Sequence, residues 1–228
     1  MNAPGFHGGE GLELHFRTKT RYDYSYIESA ALCIGEDILE VSSWGGHFLN
    51  GVEGFESFPT TMGSFATVTY VNEFLAKKKH SFIVEFGKDS KIILSTFKDL
   101  VSVTIDAKTL DEFKDCVGLI GSHSGAKLAR DGKTVIEDLN EYGQEWQVRD
   151  TESKLFQNAH VHPQFPEKCI LPNKASKTKA SCLLLESSVT KELAQAECTK
   201  YGREVDMSAC IFDILATGDL EMAQAGAF

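Results

Sequence analysis

Hydrophobic and polar side chains alternate along most of the N-terminal half of the chain. Leu12, Leu14 and Phe16 are separated by the polar residues Glu13 and His15, which is the period-2 pattern of a strand with one buried face. Clusters of Gly, Asn and Asp separate such runs and are typical of turns. The same signals predict further strands at residues 24–34, 38–41, 48–49, 66–71, 81–86, 92–97 and 100–105. Short strands joined by turns predict a mainly β fold, an antiparallel β-sandwich or flattened barrel.

The C-terminal part of the chain has a helical pattern instead. Ser188 or Thr190 is placed to cap a first helix that stops at Gly202. Asp206 is placed to cap a second helix, which stops at Gly218, and a short third turn follows. The pattern predicts a small C-terminal helical unit.

A change of composition separates these two regions. Residues 157–179 contain Pro, His and Lys with little periodicity, which is typical of a linker. We therefore expect a β domain over residues 1–155, a linker over 156–186 and a helical unit over 187–228.

The chain is acidic, and this excludes some classes of partner. Its 33 acidic and 23 basic side chains give a formal net charge of −10, and the basic residues form no concentrated stripe. We therefore expect no nucleic-acid partner. The longest apolar runs, such as residues 182–185, are far shorter than the roughly 20 residues that cross a bilayer, so no membrane span is expected.

The N-terminus has neither the basic start nor the apolar core of a signal peptide. Two explanations fit this observation. Either the protein is intracellular, or the chain begins downstream of the true start of a longer precursor.

A Gly-rich motif follows the strand region. It runs Gly118-Leu119-Ile120-Gly121-Ser122-His123-Ser124-Gly125, and Asp131-Gly132 and Trp146-Gln147-Val148 come after it. Their order and spacing resemble the C-terminal half of a von Willebrand factor type D domain, and the wording is most similar to divergent members from algae such as diatoms. Residues 210–219 resemble the Cys-containing helical segment that follows the domain in those relatives. The family's opening segment has no counterpart, so the resemblance implies a domain that starts part-way through.

The resemblance also implies a calcium site. In the family, the loop asparagines and a later Asp supply ligands, and the matching positions here are Ser122, Ser124 and Asp131. Hydroxyl and carboxylate oxygens are ligands that Ca²⁺ accepts, and Asp138 is nearby in sequence as a substitute for the missing opening Asp. The alternative is a tight Gly-bounded turn whose serines bond to their own backbone.

The chain has six cysteines, four of which follow residue 160. Cys198 and Cys210 fall on the two short helices joined by a Gly-containing turn, an arrangement that brings two sulfur atoms together, so a disulfide is predicted between them. Cys169 and Cys182 bracket the Lys-rich part of the linker and are a second candidate pair. The alternative is six reduced thiols in a cytosolic protein.

Candidate catalytic and zinc-binding groups have little support. Ser122 and His123 are adjacent, but adjacency in sequence does not give the geometry of a nucleophile and its base. His160 and His162 lie in the predicted linker without a Cys-x-x-Cys pair, so we expect solvated side chains rather than zinc ligands. The sequence predicts no enzymatic activity, and calcium is the one candidate cofactor.

The resemblance implies a non-enzymatic extracellular module of adhesion, matrix or assembly that binds protein or glycan. The location would be extracellular or at the cell surface if the chain belongs to a longer precursor. Missing opening strands would expose a sheet edge, and such an edge favours self-association. Two other functions stay open: a non-catalytic appendage of a larger secreted enzyme, and an intracellular scaffold that has lost its export signal.

Overall fold

The computed structural model describes residues 1–21, 24–43, 46–72, 79–87, 90–107, 113–122, 125–149, 151–152, 155–157, 189–202 and 206–225. Several of the residues singled out above lie outside these ranges: Ser124, His123, His160, His162, Cys169, Cys182 and all of the predicted linker beyond Gln157.

Six strands form the first sheet, arranged in the order of the chain and antiparallel throughout. They are β1 (Asn2–Ala3), β2 (Leu12–Arg21), β3 (Tyr24–Ile34), β4 (Asp37–Ser42), β5 (His47–Leu49) and β6 (Val52–Glu53). The Asn-Gly pair makes the turn between β5 and β6. Asn50 and Gly51 have φ angles of 50° and 80°, and positive φ at both central positions is what a type I′ hairpin turn requires.

Five strands form the second sheet, in the order β11-β10-β9-β8-β7 and again antiparallel. They are β7 (Thr60–Met62), β8 (Ala66–Asn72), β9 (Lys79–Phe86), β10 (Ser90–Phe97) and β11 (Leu100–Asp106). The four long strands lie where the alternation predicts them, each one or two residues longer. The short strands β1, β6 and β7 do not show enough alternation to be predicted.

The two sheets pack face to face around the main hydrophobic core. Alternate residues of each strand point into it, because successive side chains in a strand point to opposite faces. The core contains from the first sheet Leu14, Ala30, Leu32, Leu39 and Val41, and from the second Val68, Phe82, Val84, Ile92 and Leu94. The described strands form two separate sheets, which confirms the β-sandwich and not the flattened barrel.

Three helices complete the described part of the chain: α1 (Leu139–Glu145), α2 (Lys191–Thr199) and α3 (Met207–Thr217). The predicted caps of the last two are present. The Thr190 hydroxyl accepts a hydrogen bond from the backbone N–H of Leu193 at 3.3 Å. The Asp206 carboxylate caps α3, which ends at Gly218 with a φ of 68°. Helix α1 was not predicted, because it buries only Tyr142 and has no apolar stripe.

The helical unit packs against the second sheet where β10 ends and β11 begins. Phe97 and Leu100 form a second hydrophobic cluster with residues of α2, α3 and the following 3₁₀ turn (Leu220–Gln224), namely Ala194, Cys198, Cys210, Ile214, Met222 and Ala223. The helical unit therefore shares buried surface with the β domain. Among the described helices, none has the length and apolar character needed to cross a membrane.

One edge of the first sheet is only partly covered. Strand β1 pairs with Leu12 and Glu13 of β2. The remainder of that edge of β2, up to Arg21, has no strand partner among the described residues. Self-association through such an edge stays a prediction.

Candidate functional site

The Gly-rich loop that was predicted to bind calcium closes on itself. The Ser122 hydroxyl donates to the carbonyl oxygen of Ala126 at 3.0 Å. The N–H of Gly125 donates to the carbonyl of Ser122 at 2.9 Å, and the N–H of Gly121 donates to that of Gly118 at 2.8 Å. These bonds are the ones expected of a tight turn whose serine bonds to the backbone.

Asp131 organises a second turn. Its Oδ1 atom accepts hydrogen bonds from the backbone N–H groups of Lys133 and Thr134, both at 2.8 Å, and its Oδ2 accepts from the Thr134 hydroxyl at 2.6 Å. These bonds, with the Thr134 hydroxyl first, lower the pKa of the exposed Asp131 carboxyl to about 2. Asp131 is therefore ionised at neutral pH and already has three donors.

The substitute ligand Asp138 is also engaged locally. Its Oδ1 accepts from the backbone N–H groups of Asn140 at 2.9 Å and Glu141 at 3.0 Å, so it caps α1. Within the described ranges, no three His, Cys, Asp or Glu side chains are grouped as in a metal site. Calcium binding by Ser122, Ser124 and Asp131 is implied by the family resemblance alone, and the hydrogen bonds that Asp131 and Asp138 already accept disfavour it.

Arg130 joins the parts of the segment that follows the Gly-rich loop. Its Nε donates to the carbonyl of Glu145 at 2.6 Å, Nη2 to the carbonyl of Gln147 at 2.9 Å, and Nη1 to the Glu152 carboxylate at 2.5 Å. The guanidinium also lies 5.3 Å from the centre of the Trp146 ring. Because no local spacing rule connects Arg130 with residues so far along the chain, sequence reasoning missed it.

Two aromatic side chains tie the Gly-rich loop to the same segment. The buried Tyr142 of α1 donates its hydroxyl hydrogen to the carbonyl of Gly118. The Trp146 indole N–H donates to the carbonyl of Leu128 at 2.9 Å. We call residues 117–149 the loop-and-helix segment. Hydrogen bonds from the side chains of Arg130, Tyr142 and Trp146 hold its parts together.

This loop-and-helix segment exposes apolar side chains. Leu119, Ile120, Val135 and Leu139 are 49%, 52%, 58% and 67% exposed, and they are half of the eight large hydrophobic residues exposed in the described ranges. Single exposed apolar residues are normal on a protein surface. Four exposed apolar side chains on one short segment are typical of a surface that contacts a partner.

A small cavity lies at one end of the sandwich. It measures about 90 Å³ and is lined by Val41, Ser42, Gly46, His47, Tyr70, His80, Phe82 and Thr96. The Tyr70 hydroxyl and His80 Nδ1 are hydrogen-bonded at 2.6 Å, and His47 Nε2 bonds to the carbonyl of Phe55 at 2.7 Å. Burial, with a smaller contribution from His47, lowers the pKa of His80, so the neutral imidazole is favoured.

A second cleft, of about 180 Å³, is lined by Asn2, Glu10, Gly11, Leu12, Glu13, Cys33 and Gly35. The thiol donates to the carbonyl of Gly35 at 3.3 Å. Burial, then the charges of Glu13 and Asp37, raises the pKa of Cys33, which disfavours the reactive thiolate. Both cavities are smaller than the roughly 300–1,000 Å³ typical of small-molecule sites.

The structure pairs Cys198 of α2 with Cys210 of α3 in a disulfide, with an S–S distance of 1.99 Å and a Cα–Cα distance of 6.1 Å. This is the pairing that the two short helices predict. Cys33 and Cys116 are free thiols. The second candidate pair, Cys169 and Cys182, lies outside the described residues.

Comparison with known proteins adds no assignment. No model of a known protein family matches the chain, and no curated protein matches it. The resemblance to type D domains therefore stays a prediction from the motifs of residues 118–148 and 210–219.

Proposed function

We propose that the chain is a non-enzymatic, type D-like binding module that acts outside the cell in adhesion, matrix or assembly. Its loop-and-helix segment contacts a protein or glycan partner. The observation that carries this proposal is the display of Leu119, Ile120, Val135 and Leu139 on a segment that Arg130 holds together.

The surroundings of these apolar residues support a contact surface. Exposed charged residues of the same segment flank Val135 and Leu139 in the sequence, namely Asp131, Lys133, Glu137 and Glu141. Apolar anchors with a polar, solvated rim are the usual anatomy of a protein interface. The side-chain hydrogen bonds of Arg130, Tyr142 and Trp146 order the segment before a partner binds. Less conformational entropy is therefore lost on binding.

The disulfide supports the extracellular part of the proposal. Disulfides form and persist in oxidising compartments and are rare in the cytosol. An oxidised Cys198–Cys210 pair favours the extracellular module, or the appendage of a secreted enzyme, over the intracellular scaffold.

The contact surface is tested with three matched variants. Ile120→Ser and Leu139→Ser remove apolar anchors from the loop-and-helix segment, whereas Val52→Ser changes a residue of β6 that is 54% exposed. Binding of the purified chain to a glycan array and to a panel of matrix proteins is measured by surface plasmon resonance. We expect the wild type to bind either a glycan or a matrix protein. The first two variants should weaken that binding about tenfold, the effect of losing a moderate hot spot.

Val52→Ser is expected to bind as the wild type does. An equal loss in all three variants, or a wild-type chain that binds no member of either panel, would contradict the proposal.

A further inference from the structure

A row of polar side chains crosses the outer face of the first sheet. Arg17 of β2 is opposite Ser29 of β3, and Ser29 is opposite Ser42 of β4. Their chain neighbours Ala30 and Val41 belong to the core between the sheets, and Phe16 packs against it. Because side chains alternate along a strand, Arg17, Ser29 and Ser42 all point to the face away from that core.

All three members of this row are buried, and each has a polar atom that no described residue hydrogen-bonds. Arg17 is 7% exposed, and Ser29 and Ser42 are 0% exposed. Among the residues that the structure describes, the Nη1 atom of Arg17 and the Oγ atoms of Ser29 and Ser42 have no hydrogen-bond partner. In the described part of the chain, the guanidinium also has no carboxylate at ion-pair distance.

A β-bulge lies beside the row. Arg17 pairs with Ser29, but the next residue Thr18 pairs with Ile27, which leaves Glu28 as an extra residue in β3. Its carbonyl accepts from the N–H of Ser43 at 2.9 Å. Bulges redirect side chains and are frequent next to binding sites.

A short stretch of chain lies over this face. The Phe156 ring centre is 4.3 Å from the Arg17 guanidinium carbon. The N–H of Leu155 bonds to His15 Nδ1 at 3.5 Å, and the N–H of Gln157 bonds to the Glu40 carboxylate at 2.5 Å. The stretch therefore shields the row from water, and Glu40 is engaged by the stretch itself.

This arrangement is unfavourable unless a further group completes it. A buried charge without a counter-ion and a buried hydroxyl without a partner both lose the hydrogen bonds that water gives them in the unfolded chain. Stacking on Phe156 offsets only part of this for Arg17, because an aromatic face supplies no hydrogen-bond acceptor. A negatively charged oxygen group would satisfy the guanidinium and accept from both hydroxyls.

We propose that Arg17, Ser29 and Ser42 form a binding site for a small tetrahedral oxyanion, a phosphate or sulfate group. Arginine presents a planar fork of donors that matches oxyanions, and serine hydroxyls add donors at the remaining oxygens. The anion binds beneath Phe156, on the outer face of the first sheet. This site is separate from the loop-and-helix segment and does not depend on its function.

The test compares serine variants that differ only in which sheet they occupy. Ser29→Ala and Ser42→Ala remove hydroxyls of the row. Ser95→Ala is the matched control, because Ser95 is also 0% exposed and its Oγ also lacks a partner among the described residues, but it lies in β10 of the second sheet. Affinity for inorganic phosphate and inorganic sulfate is measured by calorimetry, and thermal unfolding is followed with sodium chloride at equal ionic strength as reference.

We expect both anions to raise the Tm of the wild type and of Ser95→Ala beyond the chloride reference. Ser29→Ala and Ser42→Ala should each bind about tenfold more weakly, as expected for one hydrogen bond to a charged group. Arg17→Met should fold without binding either anion. If that variant does not fold, Arg17→Lys, which keeps the charge but not the planar fork, should bind more weakly than the wild type.

The proposal would be overturned if phosphate and sulfate raised the Tm no more than chloride does. It would also be overturned if Ser95→Ala lost as much anion affinity as Ser29→Ala and Ser42→Ala. O-phosphoserine separates two sources of the same chemistry. A Tm rise with this ester as well as with inorganic phosphate indicates a group carried by a larger ligand. A rise with the inorganic ions alone indicates a bound free ion.

Discussion

Several carboxylates in this protein accept hydrogen bonds from the backbone of their own turn or helix start. Asp131 holds the turn at Lys133 and Thr134, Asp138 begins α1, and Asp206 begins α3. A carboxylate with several donors is a poorer ligand for a cation, because binding the cation means giving up those bonds. This local use of charge leads to a first prediction at the residue scale.

Millimolar calcium is expected to leave the Tm of the wild type unchanged. The reason is that the Asp131 carboxylate already accepts three hydrogen bonds within its turn. Differential scanning calorimetry with and without calcium measures this, and Asp131→Ala is the control. A calcium-dependent rise in the wild type that disappears in Asp131→Ala would restore the calcium site that the type D resemblance implies.

Asp213 of α3 gives a pH-dependent prediction. Burial raises the pKa of its carboxyl to about 6, against roughly 3.9 in an unfolded chain. Between these values the native state binds the proton more strongly than the unfolded state, so stability falls as pH rises through the window. We expect Asp213→Asn to remove this slope and to raise the Tm at pH 7 but not at pH 4.

The measurement is Tm against pH, and Glu56→Gln, at an exposed position, is the control that should keep the wild-type slope. A wild-type curve that is flat between pH 4 and 6, or the same curve in Asp213→Asn, would show that Asp213 is solvated.

At the scale of elements, the helical unit depends on a cross-link as well as on packing. Helices α2 and α3 are nine and eleven residues long, and helices this short are marginal in isolation. They bury Ala194, Cys198, Cys210 and Ile214 against Phe97 and Leu100 of the second sheet. The disulfide holds the two helices together while they make that contact.

Cys198→Ser is therefore expected to destabilise the protein by about 3 kcal/mol, the chain-entropy value for so short a closed loop. Urea unfolding of oxidised samples measures the change. Cys33→Ser removes only a free thiol. This variant should therefore still lose stability when a reductant breaks the Cys198–Cys210 bond. An unchanged midpoint in Cys198→Ser would show that the helices pack equally well without the bond.

The elements that could be predicted from the sequence are those with a local signal. The long strands follow from alternation, and the caps at Thr190 and Asp206 follow from residue type and spacing. Helix α1 escaped prediction because it contains Gly143, a poor helix former, and Tyr142 is its only buried residue.

The candidate sites were less predictable. The row Arg17–Ser29–Ser42 depends on the register of three strands and on the bulge at Glu28. The contacts of Arg130 join residues far apart in sequence. Neither arrangement has a local sequence signal, because both are products of tertiary pairing.

At the scale of the whole molecule, different parts of the chain pack on the two sheets. The helical unit packs on the second sheet, and Leu155–Gln157 lies on the first. The loop-and-helix segment carries half of the exposed large hydrophobic residues of the described ranges. The proposed extracellular function relies on both features: an ordered segment that can contact a partner, and a helical unit stabilised by the disulfide.

The most direct test of that account is the redox state of Cys198 and Cys210 in the protein from its natural source. The protein is alkylated without reductant and digested, and its peptides are identified by mass spectrometry. The account predicts one cross-linked peptide pair containing Cys198 and Cys210, in protein recovered from outside the cell. Both cysteines alkylated, in protein recovered from inside the cell, would contradict it and favour the intracellular scaffold.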